Sequence, residues 1–474
     1  MSRLVSATSW TTLATLVNLV LTMVQLAFLV RILAPSVFGQ FAVVNMVIEV
    51  FVAFALGGIS NFLIFKRDAD QQTSNAIYYL ALIIGAIFSV LLYLLTPFIA
   101  SALGYEAIIQ ELRLATLLLV VSSLSSQYQA IGMKHFKHQS IAKIDIAAKL
   151  LSFSFAISFP ELELLCLVGA IIIYQVAKLL GFMLFLGKFV NLSLSTDTRI
   201  FKEAFNYGIF DFGSQAINIV RKQLDVMILA ITLPSCEMGV YHVIKQLASR
   251  PAQALQPIIG KVALPAFAEV KQNHEKFQRV YKDIYFLQLF VLAFIYVPVI
   301  VASELVATLF FGDSYAQYSL VLSLLAGFWF IRVASSNLVG PLVQSTGHTK
   351  RNFLWNIYVM IPNALVIYIS SMFGVEALVF SMVVFQVTLF PIVNFYFVKY
   401  ITGVEFSYSL RSMLIVVLAF SIPIAVFHKF LVPLIPDLWF MQETSVAAFT
   451  VAVALVLYFQ YSEVKNSIQR IKGF

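Results

Sequence analysis

The segment "INIVRKQLDVMILA", residues 217–230, places two cations and one acid inside a long apolar stretch. On a helix, Arg221 and Lys222 both come within reach of Asp225, which lies four and three residues further along. One carboxylate does not neutralise two cations, so a positive charge is left over. Guanidinium groups bind phosphate oxygens in bidentate fashion, and lysine binds them as a point charge. The segment therefore predicts contact with an anionic group.

Other cations fall inside apolar runs in the same way. The full set is Arg113, Lys149, Lys178, Arg221, Lys222, Lys245, Arg250 and Arg332. Each would cost about 2.5–3.5 kcal/mol at the middle of a bilayer, so we expect most of them to face protein or water. The embedded acids are half as many: Glu49, Asp145, Asp211 and Asp225. This excess favours an anionic guest over internal pairing alone, although Arg113 can extend to the membrane surface and Lys149 can pair with Asp145.

The elements that carry these charges are predicted to be membrane helices. Of the 474 residues, 61% are hydrophobic and only 11% are charged, whereas soluble proteins have about 25% charged residues. Apolar runs of about 20 residues indicate transmembrane helices. We predict an all-α polytopic membrane protein with fourteen spans: 7–31, 39–64, 74–99, 107–132, 141–159, 163–187, 206–232, 238–262, 281–308, 318–344, 352–372, 375–398, 411–428 and 440–461.

The basic residues between these spans give the orientation. Almost all of them fall on one side, and the opposite side holds only Arg31 and Lys429. Cytoplasmic loops carry the excess of lysine and arginine, so both termini are predicted to be cytoplasmic. Cys166 and Cys236 fall near outer helix ends, where we favour two isolated thiols over a disulfide.

The predicted loops are short, and no soluble domain is inserted between the spans. The sequence has no glycine-rich phosphate loop of the kind that ATPases use. We identify no catalytic residues, no metal ligands and no organic cofactor site, and we expect no nucleic-acid partner.

Three spans carry a continuous polar face at helical spacing. The seventh has Asp211, Gln215, Asn218, Lys222 and Asp225; the eighth has His242, Lys245, Gln246, Ser249, Gln253 and Gln256 beside Arg250; the first has Thr11, Thr15, Asn18, Thr22 and Gln25. Such a face in a membrane lines an aqueous cavity or packs on another polar helix.

A shift of 200 residues superimposes the first stripe on the seventh, Thr22 on Lys222 and Gln25 on Asp225. The following turns also match, "LAPSVFGQF" on "TLPSCEMGVY", with Gly39 on Gly239. This predicts a parallel repeat of six spans per half around a central cavity. The predicted regions are an N-lobe at 1–187, a cytoplasmic linker at 188–205, a C-lobe at 206–400, and two further helices with a basic cytoplasmic tail at 401–474.

Several segments in the same order resemble a known family. They include "LIFKRDADQQTSNAIYY", "GMKHFKHQSIAKIDIAAK", "LFFGDSYAQYSLVLSLLA" and "QSTGHTKRN", and most specifically the stretch from "VRKQLDVMILA" to "PAFAEV". They are similar to the polysaccharide branch of the multidrug/oligosaccharidyl-lipid/polysaccharide exporter superfamily, the Wzx-type flippases. The resemblance covers about residues 1–400.

The resemblance implies two six-helix lobes around a central cavity in a bacterial inner membrane protein. It implies a flippase, not an enzyme, that moves an undecaprenyl-pyrophosphate-linked oligosaccharide from the cytoplasmic to the periplasmic leaflet by alternating access. The oligosaccharide would be a repeat unit of O-antigen, capsule or exopolysaccharide, with its lipid tail among the membrane lipids. A polysaccharide polymerase or a chain-length protein is the protein partner that such a role suggests.

The expected substrate contacts are cations for the pyrophosphate and amides for sugar hydroxyls: Arg221, Lys222, Lys245, Arg250, Arg332, Lys149, Lys178, Asn218, Gln246 and Gln253. Asp225, Asp211 and Glu49 are candidates for coupling to H⁺ or Na⁺, although we favour salt-bridge roles for them.

The sequence leaves three other functions as alternatives. A lipid II-type flippase for the peptidoglycan precursor is the nearest alternative. A drug exporter of the same superfamily would need an acidic cavity, and a polymerase-like membrane enzyme would need a large outer loop.

Overall fold

The structure is a computed structural model and describes residues 2–56, 71–187 and 219–430. The regular elements in these residues are all helical. The first group comprises α1 (Ser2–Val30), α2 (Pro35–Leu56), α3 (Gln71–Leu103), α4 (Ile109–Ala115), α5 (Leu117–Lys134), α6 (His138–Ser158) and α7 (Leu164–Leu186). The second comprises α8 (219–232), α9 (Ser235–Val270), α10 (His274–Val301), α11 (Ser303–Phe311), α12 (Ser319–Ser336), α13 (Val339–Thr346), α14 (Thr349–Ser371), α15 (Val375–Val393) and α16 (Phe406–Phe430).

Nine helical stretches in this part of the chain are long and apolar enough to cross a membrane. The prediction of a multi-pass helical membrane protein is therefore confirmed.

Helices also occupy the predicted spans 141–159, 238–262 and 411–428 and the described part of 206–232, but none of these four is among the nine. Embedded charges lower the hydropathy of α6 and α9. The span 440–461 lies outside the described residues, and the count of fourteen stays a prediction.

The chain divides into two compact units, Met1–Val243 and Ile244–Phe474. The predicted linker at 188–205 lies outside the described residues. Helix α8 and the first turns of α9 belong to the first unit, together with α1–α7. The two six-helix lobes of the predicted repeat remain a prediction.

In the first unit, α6 packs against both α1 and α7, while α5 contacts α2, α3 and α7. Tyr78, Tyr128 and Phe182 form part of a buried cluster on α3, α5 and α7. Cys166 on α7 is a buried free thiol, and Cys236 at the start of α9 is free and exposed. The helices of this unit are thus held together by a small aromatic core and by polar contacts described below.

In the second unit, α10 packs against α12 and α16, and α15 packs against α12 and α14. Its core is rich in aromatic residues: the rings of Tyr281 and Tyr285 stack at 5.8 Å between centroids, and Phe267 lies against Tyr281 at 6.2 Å. Burial of such rings contributes both apolar area and preferred ring geometry to stability.

Large apolar side chains also cover the outside of the helices. Leu184, Phe373 and Phe98 are exposed by 81%, 76% and 73% of their surface. A soluble protein rarely leaves large contiguous apolar patches in water, whereas a bilayer solvates them. The outer surface therefore agrees with the membrane location that the hydropathy indicates.

The start of α2 touches the start of α9 through two glycines. A Cβ atom on Gly39 would lie 2.0 Å from the carbonyl oxygen of Ser235, and a Cβ on Gly239 would lie 1.7 Å from that of Pro35. Both neighbours are backbone atoms, which cannot rotate away as a side chain could. Gly39 and Gly239 are equivalent positions in the predicted repeat, so the turn on which that prediction rests is also a point of close backbone contact.

We predict that Gly239→Ala and Gly39→Ala each destabilise the protein by about 1–3 kcal/mol, the usual cost of overpacking. Gly327→Ala is the matched control, because Gly327 is helical and a Cβ there meets nothing within 4 Å. Alanine is the better helix former, so the control should be neutral or stabilising. Thermal unfolding of the purified proteins in detergent measures the difference, and equal melting temperatures for Gly239→Ala and wild type would contradict the contact.

Candidate functional site

A first polar cluster joins α1, α6 and α7 around Asp145. The Tyr174 hydroxyl and the Asn18 amide both donate to the Asp145 carboxylate. The Lys178 ammonium lies 3.4 Å from the same carboxylate, and the two side chains are only 16% and 20% exposed. We call Asn18, Asp145, Tyr174 and Lys178 the Asp145 cluster.

The neutral stripe of α1 is part of the same interface. Lys149, one turn after Asp145, donates to Gln25 at 2.9 Å, and Thr22 bonds back to the carbonyl of Asn18 at 2.7 Å. The stripe of α1 thus packs on the polar helix α6. Its pattern predicted either such packing or the lining of an aqueous cavity. Lys149 and Lys178 were predicted as substrate contacts, and the geometry gives both a partner in helix packing.

A second polar cluster joins α2 to α8 around Glu49. Lys222 lies 3.0 Å from one oxygen of the Glu49 carboxylate, and the Gln223 amide donates to the same oxygen. The other oxygen accepts from Asn45 at 3.0 Å. We call Asn45, Glu49, Lys222 and Gln223 the Glu49 cluster. Glu49 is therefore a salt-bridge partner of Lys222, the role that was favoured for it from the sequence.

The two sides of this ion pair differ in exposure. The Lys222 side chain is 59% exposed and that of Glu49 is 33% exposed, while Gln223 beside them is only 6% exposed. Lys222 is thus the accessible cation of the cluster. Arg221, its neighbour in the chain, is half-buried.

Asp225, one turn beyond Lys222, is buried. Its carboxylate accepts a 2.7 Å hydrogen bond from the hydroxyl of Tyr241 on α9, which is itself fully buried. His242 is also buried and meets the ring of Phe41 edge-on at 6.0 Å. The hydrogen bond joins α9 to α8, and the ring contact joins α9 to α2. Tyr241 is thus a structural partner of Asp225 that the spacing of charges on α8 alone did not reveal.

In the second unit, the polar stripe of α9 is bonded along its own helix. Arg250 donates to Gln246 at 2.7 Å, and Gln253 donates to Ser249 at 3.1 Å. Lys245, Gln246 and Arg250 are half-buried and Gln253 is exposed. The predicted face of amides and cations is therefore present on α9.

Arg332 on α12 lies over the aromatic rings of its own helix. Its guanidinium carbon is 5.2 Å from the centroid of Trp329 and 5.6 Å from that of Phe328. Stacking on aromatic faces is a typical arrangement for arginine, and it leaves the edge of the guanidinium for hydrogen bonds.

Buried polar residues around α12 were missed from the sequence. Gln288 on α10 donates to the carbonyl of Val333 at 3.0 Å and accepts from Asn337 at 2.9 Å, and Gln386 on α15 donates to Ser335 at 3.1 Å. Each is a single polar residue in an apolar run, so no stripe indicated it. Asn45 was missed as a site residue for the same reason, whereas Gln223 directly follows Lys222 and is not part of the predicted stripe.

Two predicted site residues, Asn218 and Asp211, lie outside the described residues. In the described ranges, no group of three or more His, Cys, Asp or Glu side chains is placed to hold a metal ion. The chemistry that the described polar residues offer is reversible binding: cations for an anion, and amides for hydroxyl groups.

Comparison with known proteins identifies the family. Residues 28–320 match the family described as "Polysaccharide biosynthesis protein". The chain belongs to this family. The resemblance to the polysaccharide branch that the sequence motifs indicated is thereby confirmed.

Two relatives illustrate the range of this family. The chain is 25% identical to the amylovoran biosynthesis protein AmsL of Erwinia amylovora, over 81% of this chain and 100% of that protein. It is 24% identical to the lipopolysaccharide biosynthesis protein WzxC of Escherichia coli K12, over 75% of this chain and 72% of that protein. Among solved structures it is similar to the lipid II flippase MurJ in an inward closed conformation, with a TM-score of 0.70, 13% identity, and coverage of 97% of this chain and 100% of that one.

We predict that Asp145→Ala destabilises this family member by roughly 1–3 kcal/mol, because it leaves Lys178, Tyr174 and Asn18 without their shared acceptor. Removing both charges in Asp145→Ala/Lys178→Met should recover part of the loss. Glu161→Ala, at an exposed acid, is the control. Thermal unfolding in detergent measures all three, and a double variant less stable than Asp145→Ala would contradict the pairing.

Proposed function

We propose that the chain is a flippase that moves a polyprenyl-pyrophosphate-linked oligosaccharide from the cytoplasmic to the periplasmic leaflet of the bacterial inner membrane. Family membership supports a role in polysaccharide biosynthesis, and the similarity to MurJ supports a transporter fold. The observation that carries the proposal is Lys222, an accessible cation in a helix that the sequence predicts to span the membrane.

A flippase for this substrate has to solve one physical problem. A pyrophosphate head group and its sugars cannot enter hydrocarbon without losing their hydration, at a cost of many kcal/mol. A path lined by fixed cations and amides replaces that hydration, while the polyprenyl tail stays in the lipid. Lys222 and the other cations and amides predicted from the sequence are the groups that we expect to offer such a path.

The side-chain contacts described above support a division of the predicted residues into two groups. Arg221 and Lys222 on α8, Lys245 and Arg250 on α9, and Arg332 on α12 remain our candidates for the pyrophosphate. Gln246 and Gln253 remain candidates for sugar hydroxyls. Lys149 and Lys178 take part in the packing of α6 against α1 and α7, so we assign them a structural role first.

Several parts of the proposal follow from the sequence and from the family resemblance. Both termini are cytoplasmic, two six-helix lobes enclose the cavity, and substrate crosses by alternating access. Any coupling to H⁺ or Na⁺ would act through an embedded acid, with Asp225, Asp211 and Glu49 as the candidates. A polysaccharide polymerase or chain-length protein is the partner that would consume the product.

The lipid II flippase is the second candidate, and a specific observation favours it: MurJ has the same fold over nearly the whole chain. Both substrates carry a polyprenyl pyrophosphate, so the cations do not separate them. The names of AmsL and WzxC refer to amylovoran and lipopolysaccharide, and this favours a polysaccharide repeat unit.

The decisive experiment uses the purified protein in liposomes that contain a fluorescent undecaprenyl-pyrophosphate-linked oligosaccharide. Dithionite bleaches the outer leaflet, and a flippase exposes the remaining inner pool. We expect bleaching beyond the outer-leaflet fraction for the oligosaccharide and little for fluorescent lipid II. Faster movement of lipid II would support the second candidate, and no movement of either lipid would refute both.

We predict that Lys222→Gln slows this flipping roughly tenfold or more, since a hydrogen bond to a charged group contributes about 1.5–3 kcal/mol. Lys399→Gln is the matched control, because Lys399 is also exposed and also pairs with a glutamate, Glu405, at 3.1 Å. Flipping rates near wild type for Lys222→Gln would remove Lys222 from the substrate path.

A further inference from the structure

The Glu49 cluster is asymmetric in its bonding. The Glu49 carboxylate accepts from three donors: the Lys222 ammonium, the Gln223 amide and the Asn45 amide. Among the described residues, the hydrogen-bond and ion-pair contacts of the Lys222 ammonium are with Glu49. If Lys222 moves away, Glu49 keeps two amide donors, whereas Lys222 needs a new anionic partner.

Exposure supports the same distinction. Gln223 is buried and Asn45 is half-buried, so the two amides are held in place by packing. The Lys222 side chain is 59% exposed and has four rotatable methylene groups that can carry the ammonium elsewhere. Lys222 is therefore the most exposed member of the cluster and the one that can reach other partners.

We propose that Glu49 competes with the pyrophosphate of the substrate for Lys222. In the empty protein the carboxylate holds the ammonium; when substrate arrives, the pyrophosphate displaces Glu49 and takes the ammonium. This inference rests on the proposed function and names a role for Glu49 within it, that of a positioning residue which acts through Lys222.

Electrostatics favour such an exchange in both directions. A lone ammonium in a membrane protein is costly, and Glu49 offsets that cost while the site is empty. A pyrophosphate carries more negative charge than one carboxylate and forms strong charge-assisted hydrogen bonds. It can therefore displace Glu49 from the Lys222 ammonium. Glu49 remains close by, fixed by Asn45 and Gln223, and its return to Lys222 assists release of the substrate.

The proposal predicts that Glu49→Gln binds substrate more tightly but flips it more slowly. Undecaprenyl pyrophosphate is the binding probe, measured with the purified full chain in detergent by native mass spectrometry or a fluorescence titration. We expect affinity to rise about twofold to fivefold, the range for loss of a partly exposed competing ion pair. Flipping of the fluorescent oligosaccharide in liposomes should fall, because release is no longer assisted.

Two further variants show whether the effect acts through Lys222. In Lys222→Gln/Glu49→Gln, the affinity should equal that of Lys222→Gln alone, since no ammonium is left to compete for. Glu49→Asp keeps the charge but shortens its reach to Lys222, so its affinity should lie between wild type and Glu49→Gln. This variant also covers the case in which Glu49→Gln fails to fold.

Glu405→Gln is the matched control. It removes the acid of the Lys399–Glu405 pair, which has nearly the same length, 3.1 Å, and comparable side-chain exposures of 44% and 59%. We expect no change in affinity or flipping rate. A similar rise in affinity for Glu405→Gln would show a general effect of net charge and would overturn the proposal.

The outcomes separate this inference from the proposed function. If wild type neither binds undecaprenyl pyrophosphate nor flips the oligosaccharide, the proposed function fails. If wild type does both, and Glu49→Gln and Glu49→Asp bind with unchanged or weaker affinity, only the competition is wrong. A gain in affinity for Glu49→Gln that persists in the double variant would also overturn the competition.

Discussion

An ion inside a bilayer must have a partner, and this constraint organises the polar residues of the protein. The Asp145 cluster meets it with packing: the carboxylate, the Lys178 ammonium and two neutral donors are nearly enclosed between three helices. The Glu49 cluster meets it with an accessible lysine and a fixed carboxylate. The same requirement therefore produces two kinds of cluster. The Asp145 cluster holds helices together, and at the Glu49 cluster we propose that the pyrophosphate of the substrate replaces the Glu49 carboxylate.

Hydropathy predicted the fold class because the composition of a segment determines whether it can span a membrane. A run of about 20 apolar residues has few alternatives to a membrane helix, since each backbone polar group needs an internal partner. Charge lowers that signal. Helices α6 and α9 are not among the nine apolar stretches, and they carry Asp145, Lys149, Lys245 and Arg250. The charged residues that could serve a function in a membrane helix also make that helix harder to recognise as a span from its hydropathy.

Helical spacing predicted which face of each helix was polar, but not which helix it would meet. The pair Lys222 and Asp225 is close in sequence, yet Lys222 meets Glu49 and Asp225 meets Tyr241, each on another helix. Contacts within one helix follow from a fixed geometry. Contacts between helices depend on how the chain packs, and the packing cannot be read from a single sequence. For the same reason the sequence did not indicate the contacts of Gln223 and Gln288 with other helices.

In the predicted repeat, one of two equivalent positions can be neutral and the other charged. Gly39 and Gly239 keep the same role in both copies, because the close backbone contact between them needs a glycine on each side. Thr22 and Lys222 occupy equivalent positions, but only one has become a cation, and the acid that pairs with it, Glu49, lies opposite a serine in the repeat. Shared backbone geometry therefore fixes where the helices touch, while side chains at equivalent positions remain free to create a charge on one side and its counter-charge on the other.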